Sequence, residues 1–353
     1  MENTVKEERI IEMAFNHQFK NPSISVILTD YVDHRYVLDS LLSVFEQDLL
    51  SEHFEIILLT DSKTSPAISA LINSIKYDYT ILFTDRIPIG KTYIIGAKFA
   101  RGSIICPLDN DDLWDKERLK IVLETFEKNN RLIFMKHDVK LFSDFNEQFK
   151  FFKFLSLGIN ATWIGELEIS SENLKMNPSS YIDALKINPL FNTSSMSFSS
   201  SIFSKLPEAF GKVSNFPESF LFFWAALQNG SMSFLNVQLS SYRIRKNSLS
   251  KTGFKLSEST YINNLESIKV QFQIIQLLNK DSKSVVLRHF QAYIKYMEML
   301  INYRGSKRIT GPVKITLLKV FCDTVYFRRA EYLLIYFLTL MKSLRLLIIK
   351  ESN

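Results

Sequence analysis

Ile104-Ile105-Cys106-Pro107-Leu108-Asp109-Asn110-Asp111-Asp112-Leu113-Trp114 is an apolar run that ends abruptly in three carboxylates. Hard divalent ions such as Mg²⁺ or Mn²⁺ take oxygen ligands, usually one or two carboxylates together with phosphate oxygens of a substrate. Acids at the carboxyl end of a buried strand therefore suggest a metal-diphosphate site. The plainer alternative is a polar turn in which Asn110-Asp111 cap the helix opened by Trp114-Asp115-Lys116-Glu117.

Outward from this stretch the pattern is α/β. Short aliphatic runs at 24–28, 55–59, 80–83 and 104–108 alternate with helix-like stretches at 36–47, 64–76, 91–100 and 115–128. Such alternation is the signature of βαβ units and a mainly parallel sheet. Ligands of such sheets lie beyond the carboxyl ends of the strands, and Asp30, Asp61 and Asp109 to Asp112 all stand there. One sheet edge should gather them.

Several passages together resemble family 2 glycosyltransferases, the inverting nucleotide-sugar enzymes of GT-A fold. Ala100-Arg101-Gly102-Ser103-Ile104-Ile105 followed by Leu108-Asp109-Asn110-Asp111-Asp112 is similar to that family's "A-x-G-x-x-I-x-x-L-D-x-D-D". Ile24 to Tyr31 looks like its first strand, and Tyr36 to Gln47 matches "Y-L-x-x-x-L-x-S-V-x-x-Q" at every spacing. Phe54 to Ser62 stands where the family reads "E-I-I-V-V-D-D-G-S", and the resemblance runs over roughly residues 22–250. It implies a Rossmann-like sheet flanked by helices: a GT-A domain over 1–250, with a nucleotide-sugar half at 22–114 and an acceptor half at 115–250. A helical extension over 251–353 would follow.

The same resemblance implies roles. Thr29, Asp30, Tyr31 and Asp61 would meet the base or ribose. Lys91 and Asn110 would approach the nucleotide or its phosphates. Asp109 would serve the ribose or metal shell, and Asp111 the Mg or Mn ion. Phe216 to Gly230 is similar to the family's "E-D-x-D-x-W-x-x-x-A-x-x-G", whose acidic start supplies the base; here Glu218 is kept and Ser219 follows. An inverting transfer needs a carboxylate to take the acceptor's proton, and Ser cannot do so unaided. Glu218 and Asp112 are the two candidates. Ser241 to Ser250 resembles "Y-R-x-H-x-x-S-x-S" with Arg245 in place of His, so Arg243 and Arg245 would grip the diphosphate as bidentate forks.

Ser219 and Arg245 also motivate a rival reading, an inactive GT-A relative that binds nucleotide-sugar or glycan as a scaffold. A nucleotidyltransferase is disfavoured because Asp30-Tyr31-Val32-Asp33 replaces a Gly-rich phosphate loop after the first strand.

Composition bounds the partners. Hydrophobic residues make up 46% of the 353, with 29 Phe, which excludes a disordered chain. Phe142 to Phe154 read as core more readily than as an acceptor wall. Two cysteines offer no disulfide framework, and Met1 to Lys20 has no apolar run of signal-peptide length, so a cytoplasmic setting is expected. Residues 255–353 carry 16 Lys/Arg against 7 Asp/Glu, a net +9 within a total of +6, so the preceding 254 residues sum to −3. An acidic catalytic half repels nucleic acid, and no nucleic-acid motif is present. Tyr332 to Met341 is apolar but too short to span a bilayer, which needs about 20 residues. The tail is expected either to lie on the inner face of a membrane, where a lipid-linked acceptor would be presented, or to pack on the domain or a second copy in a homodimer.

Overall fold

The computed structural model describes residues 10–31, 33–74, 76–143, 166–185, 190–244 and 258–278, with 284, 286, 287, 290 and 291. Two compact units divide the chain, Met1–Phe254 and Lys255–Asn353. In the second, a helix spans Glu258–Leu278 and buries Ile268 and Ile274. Residues 301–353, with the Tyr332 to Met341 run, lie outside the described residues, as does Arg245. Among the described residues no helix is long and apolar enough to cross a membrane.

The first unit is built on one ten-stranded sheet. Its nucleus is the parallel set β2 (Ile24–Asp30), β3 (Phe54–Thr60), β4 (Asp78–Thr84) and β5 (Ile104–Asp109), in the spatial order β4-β3-β2-β5. Every residue of β2, β3 and β4 is buried, as expected for strands covered on both faces, which read as unbroken aliphatic runs. Helices α1 (Val37–Phe45), α2 (Pro66–Asn73), α3 (Ile89–Phe99) and α4 (Arg118–Lys128) fall where the 3.6-residue periodicity predicts them. Leu41 and Val44 of α1 and Leu71 of α2 join Val26, Leu28, Ile56, Leu58 and Ile81 in the core.

The remainder of the sheet is mixed. β1 (Ile10–Asn16) runs antiparallel along β4, although its segment carries little strand signal. Beyond β5 come β9 (Met196–Ser199), β7 (Leu132–Ser143), β10 (Ser231–Ile244) and β6 (Leu113–Trp114), with β8 (Glu166–Ser170) paired to β10. Pairing between β5 and β9 involves only Ile104 and Ile105. Pro107 has no N–H to extend such a ladder. Past it, a 3-10 turn at Thr193–Ser195 takes over as the neighbour of β5, with Ser194 Oγ accepting from the Asp109 amide at 3.1 Å.

The opposite, amino-terminal end of the parallel nucleus is closed by Arg101. Its guanidinium meets Glu55 at 2.7 Å and Asp78 at 2.6 Å, both fully buried, and donates to the Phe19 carbonyl at 2.8 Å. Gly102 must follow, because a Cβ there would lie 2.6 Å from the Ser25 nitrogen. Gly90 is equally constrained at the start of α3, where a Cβ would lie 2.0 Å from the Phe210 carbonyl oxygen.

Removing one partner of a buried ion pair strands the other charge and costs about 3–5 kcal/mol. Arg101→Ala should therefore lower the unfolding free energy by about 3 kcal/mol or more, read as a fall in the urea midpoint. A change within about 0.5 kcal/mol, the range of an ordinary surface substitution, would show that the staple is not needed.

Candidate functional site

Strand register brings the acids together. In the parallel pairing Thr29 lies opposite Asp109 and Asp30 opposite Thr60, so the ends of β5, β2 and β3 stand side by side. Asp61 follows directly after β3. Two clusters form along this edge.

The first surrounds Asp30, which is fully buried. Its carboxylate accepts from Thr60 Oγ1 at 3.1 Å and meets His34 Nδ1 at 2.8 Å and Asn110 Nδ2 at 3.5 Å. The other imidazole nitrogen of His34 lies 3.4 Å from Asp61 Oδ1. Asn110 also donates to the Asp33 carbonyl at 2.7 Å, tying the loop after β2 to the loop after β5. Thr29 is 6% exposed. Tyr31 hydroxyl bonds Thr84 Oγ1 at 2.7 Å, and burial pushes its phenol up to about 12.

The second cluster surrounds Asp109, Asp111 and Asp112. Asp109 accepts from Thr193 Oγ1 at 2.7 Å and from the buried Tyr93 hydroxyl at 3.4 Å. Asp111 is 8% exposed, and its carbonyl accepts from Arg243 Nε at 3.0 Å. Asp112 is fully buried and accepts from Asn192 Nδ2 at 2.5 Å, Ser194 Oγ at 2.6 Å and the Arg243 amide at 3.2 Å. Burial first, then the fields of Asp111 and Asp109, hold its carboxyl well above the usual carboxylate range. Neither Asn110 nor Asp111 caps α4. Instead Asp115 accepts from the Glu117 amide at 3.0 Å just before that helix.

Arg243, expected at a diphosphate, is 6% exposed. Its guanidinium lies 4.2 Å from the Tyr36 ring centre and 4.6 Å from that of Phe142, and it reaches Asp39 at 3.1 Å. Glu218 opens the helix Pro217–Leu227, behind Phe216, whose left-handed backbone (φ 60°) sets the approach. Burial, with Asp109 adding to it, pushes the Glu218 carboxyl up to about 7. Lys91, on α3, pairs with the exposed Glu208 at 2.9 Å and draws that carboxyl down.

The sequence reading missed the turn Asn192-Thr193-Ser194-Ser195 as a support. Four consecutive polar side chains entering an apolar strand are the signal for it, since buried polar groups need partners. Asn192 sits at φ 64°, a region Asn tolerates better than most residues, and its Oδ1 is buried without a partner among the described residues. Also missed was a buried basic group beneath the acids. Arg118 stacks 3.8 Å from the Trp114 ring centre and donates to His137 Nε2 at 3.1 Å. That bond requires the His137 proton on Nδ1, which faces the Asp138 carbonyl at 2.9 Å. Lys136 donates to Ser195 Oγ and to the His137 carbonyl. Burial pushes Lys136 down to about 7 and holds His137 well below the usual imidazole range.

No cluster of three or more His, Cys, Asp or Glu placed to hold a metal occurs among the described residues. Asp109 and Asp111 nonetheless suit a Mg²⁺ or Mn²⁺ ion that completes its shell with substrate oxygens, because such ions use one or two carboxylates rather than an all-protein cage. Asp112 is committed to the protein interior.

In an α/β sheet the carboxyl edge, where these acids converge, is the usual place for a ligand. Comparison with known proteins narrows the class of protein. Residues 25–189 match the family described as Glycosyl transferase family 2. An uncharacterized glycosyltransferase of Rickettsia bellii (strain RML369-C) is 32% identical over 113 residues, which is 31% of this chain and 16% of that relative. S. aureus TarS 1–349, solved in complex with UDP-GlcNAc, superposes with a TM-score of 0.53 at 16% identity, covering 86% of this chain and 80% of that one. Its complex with UDP gives 0.51 at 15% identity, covering 85% and 79%. Residues 25–189 thus resemble a family 2 glycosyltransferase, and the α/β sheet flanked by helices shares the fold of the solved glycosyltransferase structures it superposes on.

Lys136 yields a test of the buried basic group. Its ordinary value is about 10.4, so between about pH 7 and pH 10 the unfolded chain binds a proton that the folded one lacks. Stability should therefore rise with pH across that window. Denaturation midpoints measured at pH 6.5 and 9 should show the rise in the wild type and a smaller one in Lys136→Met. Equal slopes would mean that Lys136 stays charged inside the fold.

Proposed function

We propose that this chain is an inverting, metal-assisted glycosyltransferase that moves a sugar from a nucleoside-diphosphate donor to a glycan or lipid-linked acceptor. The observation that carries the reading is the placing of Asp109 and Asp111 at and just past the carboxyl end of β5, with Glu218 at the start of a helix close enough to Asp109 to feel its charge. Asp61, Thr29 and Tyr31 would line the nucleoside side. Asp109 and Asp111 would hold the cation, which when bound offsets the charge developing on the departing diphosphate.

Glu218 would act as the base. The acceptor oxygen attacks the anomeric carbon in line, its proton passes to a Glu218 carboxylate oxygen, and the bond to the diphosphate breaks with its electron pair on the leaving oxygen. A base whose carboxyl lies near the working pH balances correct protonation against driving force. Asp112, buried and saturated with donors, is better suited to positioning than to proton transfer. Arg243, clamped between two rings, is likewise a support that spaces the β10 end from Asp111. Arg245 keeps its place as a candidate diphosphate ligand on the resemblance alone.

Asp111→Ala should abolish the Mn²⁺-dependent rise in melting temperature given by nucleoside diphosphates while leaving the metal-free melting temperature within a few degrees of wild type. Equal ligand shifts in both proteins would remove Asp111 from the metal site. Glu218→Gln should keep donor binding but lose about 10²-fold or more in turnover. In the wild type kcat/KM should climb as pH rises through about 7, because the ionised carboxylate is the active form. Full activity in Glu218→Gln would place the base elsewhere.

The basic tail supports peripheral attachment at the inner face of a membrane, since each Lys or Arg near an anionic surface contributes about 1 kcal/mol. In flotation at low salt the full chain should rise with anionic vesicles and a version ending near Ile309 should not. Equal behaviour would assign the tail to the domain surface or to a homodimer.

A further inference from the structure

His34 was not among the residues expected at the site, yet it links the two carboxylates nearest the nucleoside side. Its Nδ1 lies 2.8 Å from Asp30 and its Nε2 lies 3.4 Å from Asp61. A neutral imidazole carries one N–H and can donate to only one of them, whereas an imidazolium donates to both. Asp30 is fully buried, and its other contacts among the described residues, Thr60 and Asn110, are neutral. An ionised carboxylate so deeply placed calls for a cationic partner.

The charged groups around the ring are few. Asp30 faces it from the end of β2, and Asp61 from the segment after β3. On its own loop Asp33 is paired with Arg35 at 2.6 Å. Tyr31, turned to Thr84, keeps its proton throughout the neutral range. The two ends of the bridge differ in a useful way. Asp30 is sealed inside, while the Asp61 side chain is 21% exposed and that of His34 is 30% exposed. Only Asp61 of the two carboxylates is open to a ligand.

We propose that His34 is a specificity-determining residue of the donor pocket. As an imidazolium it fixes Asp61 through one carboxylate oxygen, so that the other accepts an N–H from the edge of a nucleobase. The inference rests on the donor-binding reading above and deepens it. A base with a ring N–H at that edge, such as uracil or guanine, satisfies the fixed acceptor. Cytosine presents a ring nitrogen lone pair there and leaves the carboxylate facing another acceptor, and a missing or mismatched buried hydrogen bond is what gives a site strong discrimination.

The test uses the full chain with UDP, GDP and CDP and Mn²⁺ in calorimetric titrations at pH 6. Wild type should bind UDP or GDP at least 10-fold more tightly than CDP. His34→Ala and His34→Gln should both show a ratio near one, and thermal melts of both variants would confirm that they are folded. Nitrogen-15 spectra of the ligand-free protein should show both His34 ring nitrogens protonated at pH 6, assigned by the signal that is absent from His34→Gln. A preserved ratio in the two variants, or a singly protonated ring at pH 6, would overturn the role of His34 while leaving the donor-binding reading intact. Failure of the wild type to bind any of the three nucleotides would overturn both.

Discussion

A single carboxylate removed from water organises the carboxyl edge of the sheet. Asp112 cannot be buried without donors, and it takes them from two segments distant in sequence: Asn192 and Ser194 on one side, the Arg243 amide on the other. Satisfying it locks the turn after β5 against the 3-10 turn and against the end of β10. The neighbouring contacts then follow. Thr193 is delivered to Asp109, and the Arg243 side chain is delivered to the Asp111 carbonyl and to Asp39. Unpaired groups in such a buried network are costly, and of the three donors to Asp112 only Asn192 keeps a buried oxygen, Oδ1, without a partner among the described residues.

The two ends of the parallel nucleus are electrostatically unlike. At the amino end Arg101 closes on Glu55 and Asp78, and serine and backbone donors complete the arrangement. At the carboxyl end Asp30, Asp61, Asp109, Asp111 and Asp112 stand together, with His34 between the first two and Arg243 on the Asp111 carbonyl. The first arrangement is closed and structural. The second is the edge at which the proposed function places a cation and the phosphates it would carry. The buried basic group of Arg118, Lys136 and His137 lies one hydroxyl layer further in, joined to the acids through Ser194 and Ser195.

Much of this was legible in the residues. Unbroken aliphatic runs mark strands buried on both faces, and the four predicted runs fall inside β2, β3, β4 and β5. The acids at their ends were visible because an apolar run that stops in charge is unusual. His34, Thr193 and Lys136 were not legible as site residues. A lone His in a loop, a Thr in a polar run and a Lys in an alternating strand each have an ordinary surface reading. Their roles come from partners 27 to 84 positions away, such as Asp61 for His34 and Asp109 for Thr193. β1 was missed for a related reason: an edge strand buries little and so carries a weak period.

Local sequence alone determined the alternation of strand and helix, the breaks between them and the chemical type gathered at the strand ends, because periodicity and turn chemistry act over a few residues. Tertiary structure decided how far each of those acids is committed to the fold. Asp111 and Asp112 are adjacent and chemically identical, yet Asp112 is fully buried and takes three donors, while Asp111 keeps some exposure. Asp30 and Asp61 are separated in the same way, one sealed and one exposed. Burial and the count of available donors make the difference, and both are properties of packing between segments that no local pattern encodes.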